Sequence, residues 1–334
     1  MARIFLTHPH EALVKYYGDQ ALAGLQKLAD VQLNHEGREL SIDELIEAAR
    51  GCDAIVSYRQ TAAPAALFQA LPDLVSFSRC AVDIRNVDVA AASDQGILVT
   101  HTGPGFMASV SEWVVGVMLD LSRQISTLSQ EYRSGTAPIP SMGRELRGAV
   151  LGVIGYGRIS RYLCGLAKAF GMRILVSDPY VRIEDTGIQQ VELSDLLERS
   201  DYVVCLAVAT EETENLMNAR AFARMRPTSF FINASRGNLV DEAALRDALD
   251  GGRIAGCAMD VGLAPDQLPS PSLAAHPRVI ATPHMAGLTP AAVEFQALQT
   301  VEQVGVILSG RAPEGSVNAA QATRLSRLSE RGKS

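Results

Sequence analysis

Two glycines in the middle of the chain stand where a strand would turn into a helix. The apolar run Val150–Ile154 precedes Gly155-Tyr156-Gly157, and a stretch with apolar residues at positions 163, 166, 167 and 170 follows. An apolar run that does not alternate indicates a buried parallel strand. Gly155 permits the tight turn, and Gly157 allows a pyrophosphate to approach the free N–H groups of the new helix. The pattern predicts a dinucleotide site.

An acid follows at the spacing that such a site requires. A second strand is predicted at 174–176 and ends near Asp178, about 20 residues past the glycines, where a carboxylate accepts hydrogen bonds from ribose hydroxyls. Asp178 would repel a 2′-phosphate, and neither Pro179 nor Tyr180 offsets it, which favours NAD over NADP. Ser160 replaces the usual third glycine and predicts a slightly looser contact between helix and strand. The alternative is an ordinary glycine turn.

Composition limits the class of protein. The 334 residues suffice for two domains, and the net charge of −7 has no long runs, which argues against nucleic acid as a partner. The five cysteines are scattered without a CxxC pair, which favours a reduced, intracellular protein and predicts no metal site. The N-terminus lacks a signal peptide, and no apolar run approaches the roughly 20 residues that span a bilayer. We therefore expect no membrane partner and a cytoplasmic location.

The elements around these motifs alternate between strand and helix. Strands are predicted at 4–7, 31–33, 54–57, 74–78 and 97–100, with helices at 13–29, at 42–49 (capped by Ser41) and between the later strands. Alternation of this kind predicts an α/β fold with a parallel sheet and helices on both faces. This part has no glycine fingerprint, so we predict that it is a substrate-binding domain rather than a second nucleotide-binding domain.

A second alternating region follows a break. Gly103-Pro104-Gly105 ends the first pattern, and a long helix is predicted over 108–128. From the fingerprint onwards the strands and helices describe a second doubly wound sheet. One more apolar helix is predicted at 289–308, and the tail from about residue 320 is expected to be frayed.

Three further segments fall where strands should end at the carboxyl edge of the sheet: 233–237, 258–261 and 281–287. With the fingerprint, with Val110-Ser111-Glu112 and with Thr210-Glu211-Glu212-Thr213, they resemble the D-isomer-specific 2-hydroxyacid dehydrogenase family over nearly the whole chain. The resemblance implies two doubly wound parallel-sheet domains. A flavodoxin-like substrate domain (1–103 plus 285–334) is interrupted by a Rossmann NAD-binding domain (104–284). It also implies a homodimer joined through the nucleotide domains and the long helix.

The resemblance assigns roles to single residues. The cofactor-binding residues that it implies are Gly155, Gly157, Arg158, Ile159, Asp178, Thr213, Ala234, Arg236, Asp260 and His284. Arg236 suits the carboxylate and carbonyl of a 2-keto acid, since guanidinium binds a carboxylate in a fixed fork. His284 suits acid–base catalysis, because its reference pKa of about 6.5 allows proton exchange near neutrality. The alternatives are a surface charge for Arg236 and a turn-capping histidine for His284.

Two departures from the family pattern concern the partner of the histidine and the loop that binds the substrate carboxylate. The Glu that usually charges the histidine falls on Ala264 or Pro265, and Asp266 or Gln267 could substitute if the loop is reshaped. The glycine-rich carboxylate loop is Arg79-Cys80-Ala81-Val82-Asp83, in which Cys80 and Ala81 narrow the space around the backbone N–H groups. Arg59 follows a strand and supplies either an extra cation for the substrate or a solvated loop charge.

The sequence thus predicts an NAD-dependent oxidoreductase that acts on a small 2-hydroxy or 2-keto acid. Two other hypotheses remain open because the usual Glu is missing. One is an enzyme of the same fold with altered chemistry, such as oxidation of an anion that is not a hydroxy acid. The other is an NAD-binding sensor or scaffold with little turnover.

Overall fold

The computed structural model describes residues 1–331, and the chain divides into two compact units. The terminal unit comprises Met1–Gly105 together with the residues from Pro290 onwards, and the central unit comprises Phe106–Thr289.

The terminal unit contains a five-stranded parallel sheet in the order β2-β1-β3-β4-β5. Its strands are β1 (Arg3–Leu6), β2 (Asp30–Leu33), β3 (Ala54–Ser57), β4 (Ser76–Arg79) and β5 (Leu98–His101). This is the flavodoxin-like strand order, so the predicted fold of this part is confirmed.

The helices of the terminal unit differ from prediction at one place. They are α1 (His10–Tyr16), α2 (Asp19–Leu28), α3 (Ile42–Ala48), α4 (Ala65–Ala70), α5 (Val89–Asp94), α13 (Pro290–Leu308) and α14 (Ser326–Arg331). The single helix predicted over 13–29 is wrong. It is interrupted at Gly18, whose φ of +83° is a left-handed conformation that glycine adopts without strain. Ser41 does cap α3, in a capping box with Glu44.

The C-terminal tail is ordered as far as it is described, so the expectation of a frayed tail from residue 320 is wrong up to residue 331. Two 3₁₀ turns, Ala319–Gln321 and Thr323–Leu325, lead into α14. Leu325 and Leu328 are buried in an apolar cluster with Ile307 of α13. Residues 332–334 lie outside the described part of the chain.

The central unit contains a seven-stranded parallel sheet in the order β12-β11-β10-β9-β6-β7-β8. Its strands are β6 (Val150–Ile154), β7 (Arg173–Ser177), β8 (Gln189–Gln190), β9 (Tyr202–Cys205), β10 (Phe230–Asn233), β11 (Gly256–Met259) and β12 (Val279–Ala281). The strand order reverses beside β6, because the chain first builds outwards to β8 and then returns to β9 on the other side. Sheets of this kind bind ligands at such a reversal.

Helices cover this sheet. They are α6 (Met107–Arg123), α7 (Ile125–Arg133), α8 (Arg158–Ala169), α9 (Leu193–Arg199), α10 (Ala219–Arg224), α11 (Glu242–Asp250) and α12 (Pro271–Ala274), with 3₁₀ turns at Glu211–Thr213, Gly237–Leu239 and Pro265–Gln267. The prediction of one helix over 108–128 is wrong. Gln124 adopts a left-handed φ of +54° and separates α6 from α7.

Burial on both faces explains the apolar run that precedes the glycines. Val150 and Ile154 belong to one apolar cluster of the central unit, whereas Leu151 and Val153 belong to the other. Successive side chains of a strand point to opposite faces, so a strand covered on both sides must be apolar throughout. The doubly wound architecture predicted for this region is confirmed.

Candidate active site

The glycine loop leaves room for an anion beside the backbone. Gly155 has a φ of +88°, and a Cβ at this position would lie 2.8 Å from the Cα of Ala207, so no other residue fits without movement. Gly157 precedes α8, and a Cβ there would meet no atom within 4 Å. Arg158 and Ile159 form the first turn of α8, whose free N–H groups favour negative charge. This cradle fits a pyrophosphate.

Asp178 is tied directly to this loop. Its Oδ2 accepts a hydrogen bond from the N–H of Tyr156 at 2.7 Å, and its Oδ1 accepts one from the N–H of Tyr180 at 2.8 Å. The half-buried carboxylate is thereby fixed at the end of β7, next to the glycine loop. A carboxylate has about four lone-pair directions, so it retains acceptor capacity for a ribose hydroxyl.

The third glycine position is filled by a fully buried serine. Ser160 has no solvent exposure, and its hydroxyl has no hydrogen-bond partner among the described residues. The hydroxyl therefore adds a desolvation cost at a place where helix α8 lies against the sheet.

The loop after β9 is folded by its own threonines. The Oγ1 of Thr213 accepts a hydrogen bond from the N–H of Thr210 at 2.8 Å and donates one to the carbonyl of Val208 at 2.8 Å. This holds the 3₁₀ turn Glu211–Thr213 beside the glycine loop, because Gly155 packs against Ala207 of the same segment.

Arg236 lies on a loop that is shaped by the last residue of β10. Asn233 is fully buried. Its Nδ2 donates to the carbonyl of Arg236 at 2.8 Å, and its Oδ1 accepts from the N–H of Ser235 at 3.0 Å. Ser235 also donates to the carbonyl of Ala207 at 2.6 Å, which joins this loop to the one after β9. Ala234 and Arg236 are half-buried, and Arg236 donates to the carbonyl of Ser235 at 2.8 Å.

Backbone contact joins the Arg236 loop to the segment that follows β11. A Cβ on Gly237 would lie 2.1 Å from the carbonyl oxygen of Gly262, so these two chain segments touch at their backbones. The contact requires glycine at 237 and brings the loops after β10 and β11 together.

Asp260 is the structural centre of the histidine loop. It is 2% exposed, and its carboxylate accepts hydrogen bonds from the hydroxyl of Thr282 (2.6 Å) and from the N–H groups of Met285 (2.8 Å) and Ala286 (2.9 Å). Its backbone carbonyl accepts from the N–H of His284 at 2.9 Å. These bonds hold the loop in place, and they occupy most of the acceptor capacity of Asp260.

His284 is half-buried, and its Nδ1 lies 3.3 Å from the backbone carbonyl of Asp266. Asp266 is the residue predicted to replace the missing glutamate, and it contacts His284 through its main chain. The side chain of Asp266 is exposed.

Three residues of this corner adopt left-handed conformations that side chains rarely take. The φ values are +58° for Asp266, +60° for Gln267 and +51° for His284. Conformations of this kind cost energy and concentrate at functional sites. The Oε1 of Gln267 is buried without a hydrogen-bond partner among the described residues. Both features lower the stability of this corner.

The terminal unit places its candidate residues after β3 and β4. Arg59 is exposed, with its guanidinium 5.8 Å from the ring centre of Tyr16. Cys80 is buried, and its N–H donates to the carbonyl of Ser57 at 3.0 Å. Within residues 1–331, the N–H groups of the next two residues, Ala81 and Val82, donate to no acceptor. Adjacent unsatisfied N–H groups suit an anion.

A buried cation lies directly beneath that loop. Arg79 has no solvent exposure, and its guanidinium donates to the carbonyls of Tyr58 and Thr61 and to the side-chain oxygen of Asn86. Burial lowers the pKa of Arg79 to about 10. Burial also lowers the pKa of His8 to about 3, with a further contribution from the charge of Arg79. His8 is therefore neutral at physiological pH.

Sequence reasoning missed several residues of the site. Asn233 and Thr282 shape the Arg236 loop and the His284 loop, and Glu242 accepts from the N–H of Leu263 at 3.1 Å. An asparagine at the end of a predicted strand followed by small residues signals a side chain that bonds its own loop. The long-range contact of Glu242 leaves no such signal.

Two negative findings complete the description. Among residues 1–331, no helix is long and apolar enough to cross a membrane. In the same part of the chain, no three His, Cys, Asp or Glu side chains come together in a way that could hold a metal ion.

Comparison with known proteins agrees with the geometry. Residues 115–286 match the model of the NAD-binding domain of the D-isomer-specific 2-hydroxyacid dehydrogenases. A glyoxylate reductase of Korarchaeum cryptofilum is 30% identical over 319 residues, which cover 93% of this chain and 96% of the relative. A D-3-phosphoglycerate dehydrogenase of Synechocystis is 33% identical over 283 residues, 84% of this chain. The chain spans about half the length of that dehydrogenase, because the match covers 51% of it.

Solved structures show the same fold. A protein of Thermus thermophilus is 28% identical with a TM-score of 0.83, and the match covers 94% of this chain and 99% of that one. The NADPH-dependent glyoxylate/hydroxypyruvate reductase of Sinorhizobium meliloti, solved with citrate, is 25% identical with a TM-score of 0.81, covering 96% and 99%. The chain belongs to the D-isomer-specific 2-hydroxyacid dehydrogenase family and carries that family's NAD-binding domain.

Proposed function

We propose that the protein is an NAD-dependent oxidoreductase that interconverts a small 2-hydroxy acid and the corresponding 2-keto acid. In this proposal, the central unit binds the cofactor, and the terminal unit carries its own candidate groups for an anion. The observation that carries it is the common placement of the glycine cradle, the Arg236 loop and His284 at one sheet edge. Strands β6, β9, β10, β11 and β12 are consecutive neighbours, and contacts between their loops connect the three elements.

When bound, NAD supplies the group that accepts or donates hydride. The fit rests on the cradle at Gly155 and Gly157 and on Asp178, which is bonded to the loop through Tyr156. Of the remaining predicted contacts, Ile159 lies in the first turn of α8, Thr213 in the 3₁₀ turn after β9, and Ala234 directly after β10. Asp178 favours NAD over NADP in this proposal, since a carboxylate at this position repels a 2′-phosphate.

Arg236 is the cation for the substrate. Its guanidinium is half-buried, where a charged group is less screened than in water, and it forms charge-assisted hydrogen bonds to a carboxylate. The same charge stabilises the negative oxygen that develops as a ketone is reduced.

His284 transfers the proton. Its Nδ1 faces a backbone carbonyl, which can only accept a hydrogen bond, so Nδ1 carries a proton in either charge state. The nitrogen that gains and loses a proton is therefore Nε2. The carbonyl of Asp266 fixes this tautomer without adding the full negative charge that a glutamate would bring.

The terminal unit has its own candidate groups for a carboxylate. The N–H groups of Ala81 and Val82 are its donors, and the exposed Arg59 adds charge. Cys80 takes part through its shape alone, because its N–H is already bonded to Ser57.

We also propose a homodimer that buries the face around α7. Its exposed apolar side chains include Ile125, Tyr132, Ile139 and Met142. Patches of this kind on a folded surface indicate a partner. The five cysteines are buried free thiols, which agrees with a cytoplasmic, reducing environment.

A second candidate is an NAD-binding sensor with little turnover. It is favoured by one observation, namely that the atom of Asp266 that contacts His284 is the main-chain carbonyl. An imidazolium beside a neutral carbonyl is less stabilised than one beside a carboxylate.

The test is turnover of NADH against a panel of 2-keto acids, together with direct titration of NADH by fluorescence. The proposed enzyme oxidises NADH with at least one keto acid, and His284→Ala loses about a thousandfold in kcat while still binding NADH. Binding of NADH without turnover on any keto acid would favour the sensor. Turnover that survives His284→Ala would remove His284 from the mechanism.

A further inference from the structure

A hydrogen bond between two exposed side chains links the loops on either side of the glycine cradle. The phenol of Tyr180, in the loop after β7, donates to the Oε2 of Glu212, in the loop after β9, at 2.8 Å. Since β7 and β9 are the two neighbours of β6, this bond joins the loops that flank the carboxyl end of β6. That end carries Gly155 and Gly157.

Both loops that carry the bond have internal hydrogen bonds. On one side, Asp178 accepts from the N–H of Tyr180, and Gln190 donates to the carbonyls of Asp178 (3.0 Å) and Val181 (2.8 Å). On the other side, Glu212 lies in the 3₁₀ turn closed by Thr210 and Thr213. The Tyr180–Glu212 pair is therefore presented by two preformed loops.

The pair itself is not held by packing. Tyr180 is 78% exposed, and Val208, on the opposite loop, is 76% exposed. An aromatic and an aliphatic side chain standing in water on the two sides of a nucleotide cradle form a suitable apolar setting for a flat base. The pair can open at little cost, because an exposed hydrogen bond contributes modestly to stability.

Charge adds a second consequence. The hydrogen bond and charge of Glu212, followed by desolvation and then by the charge of Asp178, raise the pKa of Tyr180 above its ordinary value. Two carboxylates thus act on one phenol at the end of β7. Any group bound beside Asp178 also experiences the field of Glu212.

We propose that Tyr180 and Glu212 form a latch over the adenosine end of the dinucleotide site, and that Glu212 is a second determinant of the preference for NAD over NADP. This inference rests on the proposed cofactor site. The latch strengthens binding of adenosine-containing ligands and leaves the nicotinamide end unaffected.

The test uses the full-length protein and direct binding of ADP-ribose, nicotinamide mononucleotide, NADH and NADPH, measured by calorimetry or fluorescence. Tyr180→Phe removes only the hydroxyl that orders the ring before a ligand binds, and we expect ADP-ribose and NADH to bind about fivefold more weakly, which corresponds to the cost of ordering one side chain on binding. Nicotinamide mononucleotide should bind as it does to the wild type. Tyr162→Phe, at another exposed tyrosine of the central unit, is the matched control and should change nothing.

Glu212→Gln separates charge from hydrogen bonding, because the glutamine oxygen still accepts from Tyr180. We expect NADH affinity within about twofold of the wild type and NADPH affinity about fivefold higher. Glu214→Gln removes the same charge two residues further along and should leave the ratio unchanged.

Unchanged or tighter binding of ADP-ribose by Tyr180→Phe would overturn the latch. An unchanged NADPH affinity in Glu212→Gln would overturn its role in cofactor choice. The cofactor site itself has a separate test. Gly157→Val inserts a side chain into the cradle, and the proposed cofactor site is supported if the wild type binds NADH and this variant binds it more weakly, whatever the latch variants show. If the wild type bound neither NADH nor ADP-ribose, the cofactor site and the latch would fail together.

Discussion

The two sheets of the protein share a parallel architecture, yet the polar groups at their carboxyl edges are satisfied to different degrees. In the central unit, the buried side chains of Asn233 and Asp260 are hydrogen-bonded by the loops that they shape, whereas Ser160 Oγ and Gln267 Oε1 are buried without a partner among the described residues. In the terminal unit, buried polar atoms have no partner among the described residues. These atoms are His8 Nδ1, Ser57 Oγ, Ser78 Oγ, Arg79 Nε and Thr102 Oγ1.

The difference indicates two ways of building a binding edge. Satisfied carboxylates and amides fix the loops of the central unit before a ligand arrives, which is the arrangement that catalysis requires. The terminal edge instead surrounds the buried cation of Arg79 with polar atoms that retain hydrogen-bonding capacity. Unsatisfied buried groups lower stability, so we expect changes there to affect folding and its pH dependence more than chemistry.

The largest effect should come from the charge at the central edge. Arg236→Ala should lower kcat/KM about a hundredfold, or about 3 kcal/mol, because the charge-assisted contact strengthens as the substrate oxygen becomes negative. NADH affinity should change much less. Steady-state kinetics and NADH titration measure the two quantities.

The control for this variant is Arg199→Ala, which removes an exposed arginine of the same unit that pairs with Asp195. It should retain full activity. Equal losses of kcat/KM and NADH affinity in Arg236→Ala would place this residue in cofactor binding or folding. The proposed catalytic role of the central edge would then be wrong for Arg236.

A somewhat smaller effect should follow from disturbing a satisfied group. Asp260→Asn places an amide against the N–H donors of Met285 and Ala286 and the hydroxyl of Thr282. We expect a loss of about 2.5 kcal/mol in the free energy of unfolding, typical of hydrogen bonds to a charged group. Urea unfolding followed by circular dichroism measures it.

Asp250→Asn is the matched substitution at an exposed carboxylate, whose partners are His276 and Arg246. It should cost well under about 1 kcal/mol. If both variants were equally stable, the central edge would not depend on its internal hydrogen bonds.

The carboxyl edge of the terminal sheet should affect how the free energy of unfolding depends on pH. His8 has a pKa of about 3 in the folded state and about 6.5 in the unfolded state. Between these two pH values, the unfolded state binds a proton at His8 and the folded state does not. The stability that it contributes is therefore complete above pH 6.5 and declines as the pH falls towards about 3, by about 1.4 kcal/mol per pH unit. His8→Gln should reduce the stability difference between pH 7 and pH 5 by about 2 kcal/mol.

Urea unfolding at the two pH values provides the measurement. The exposed His10, two residues away, provides the control, and His10→Gln should keep the wild-type difference. A His8→Gln variant with the same pH dependence as the wild type would show that this edge does not hold a neutral histidine.

The smallest effect is expected at Asp266. Because its backbone carbonyl contacts His284 and its side chain is exposed, Asp266→Asn should leave the falling limb of the pH–rate profile in place. Asparagine also tolerates the left-handed φ of +58°, so the loop should persist. A shift of that limb towards acid would show that the carboxylate acts on the imidazole and has taken over from the missing glutamate.

Local patterns in the sequence determined the α/β class, the glycine cradle, Asp178 and most strand positions. These features follow from short-range chemistry, such as the need for glycine at a tight turn and for apolar residues in a strand buried on both faces. The break at Gly18 was missed although glycine commonly ends a helix in the left-handed conformation, whereas no local signal marks the break at Gln124. The packing of the C-terminal tail was missed because Leu325 and Leu328 look ordinary without the cluster that buries them.

The tertiary structure alone decided how the site is held together. Nothing in the sequence shows that Asp260 binds Thr282, Met285 and Ala286, or that Gly237 touches Gly262. The sequence also could not show that His284 contacts a backbone carbonyl rather than a carboxylate. These contacts join residues about 20 or more positions apart, and their partners are set by which strand ends lie side by side in the sheet. That order arises from the packing of the whole unit rather than from any local pattern.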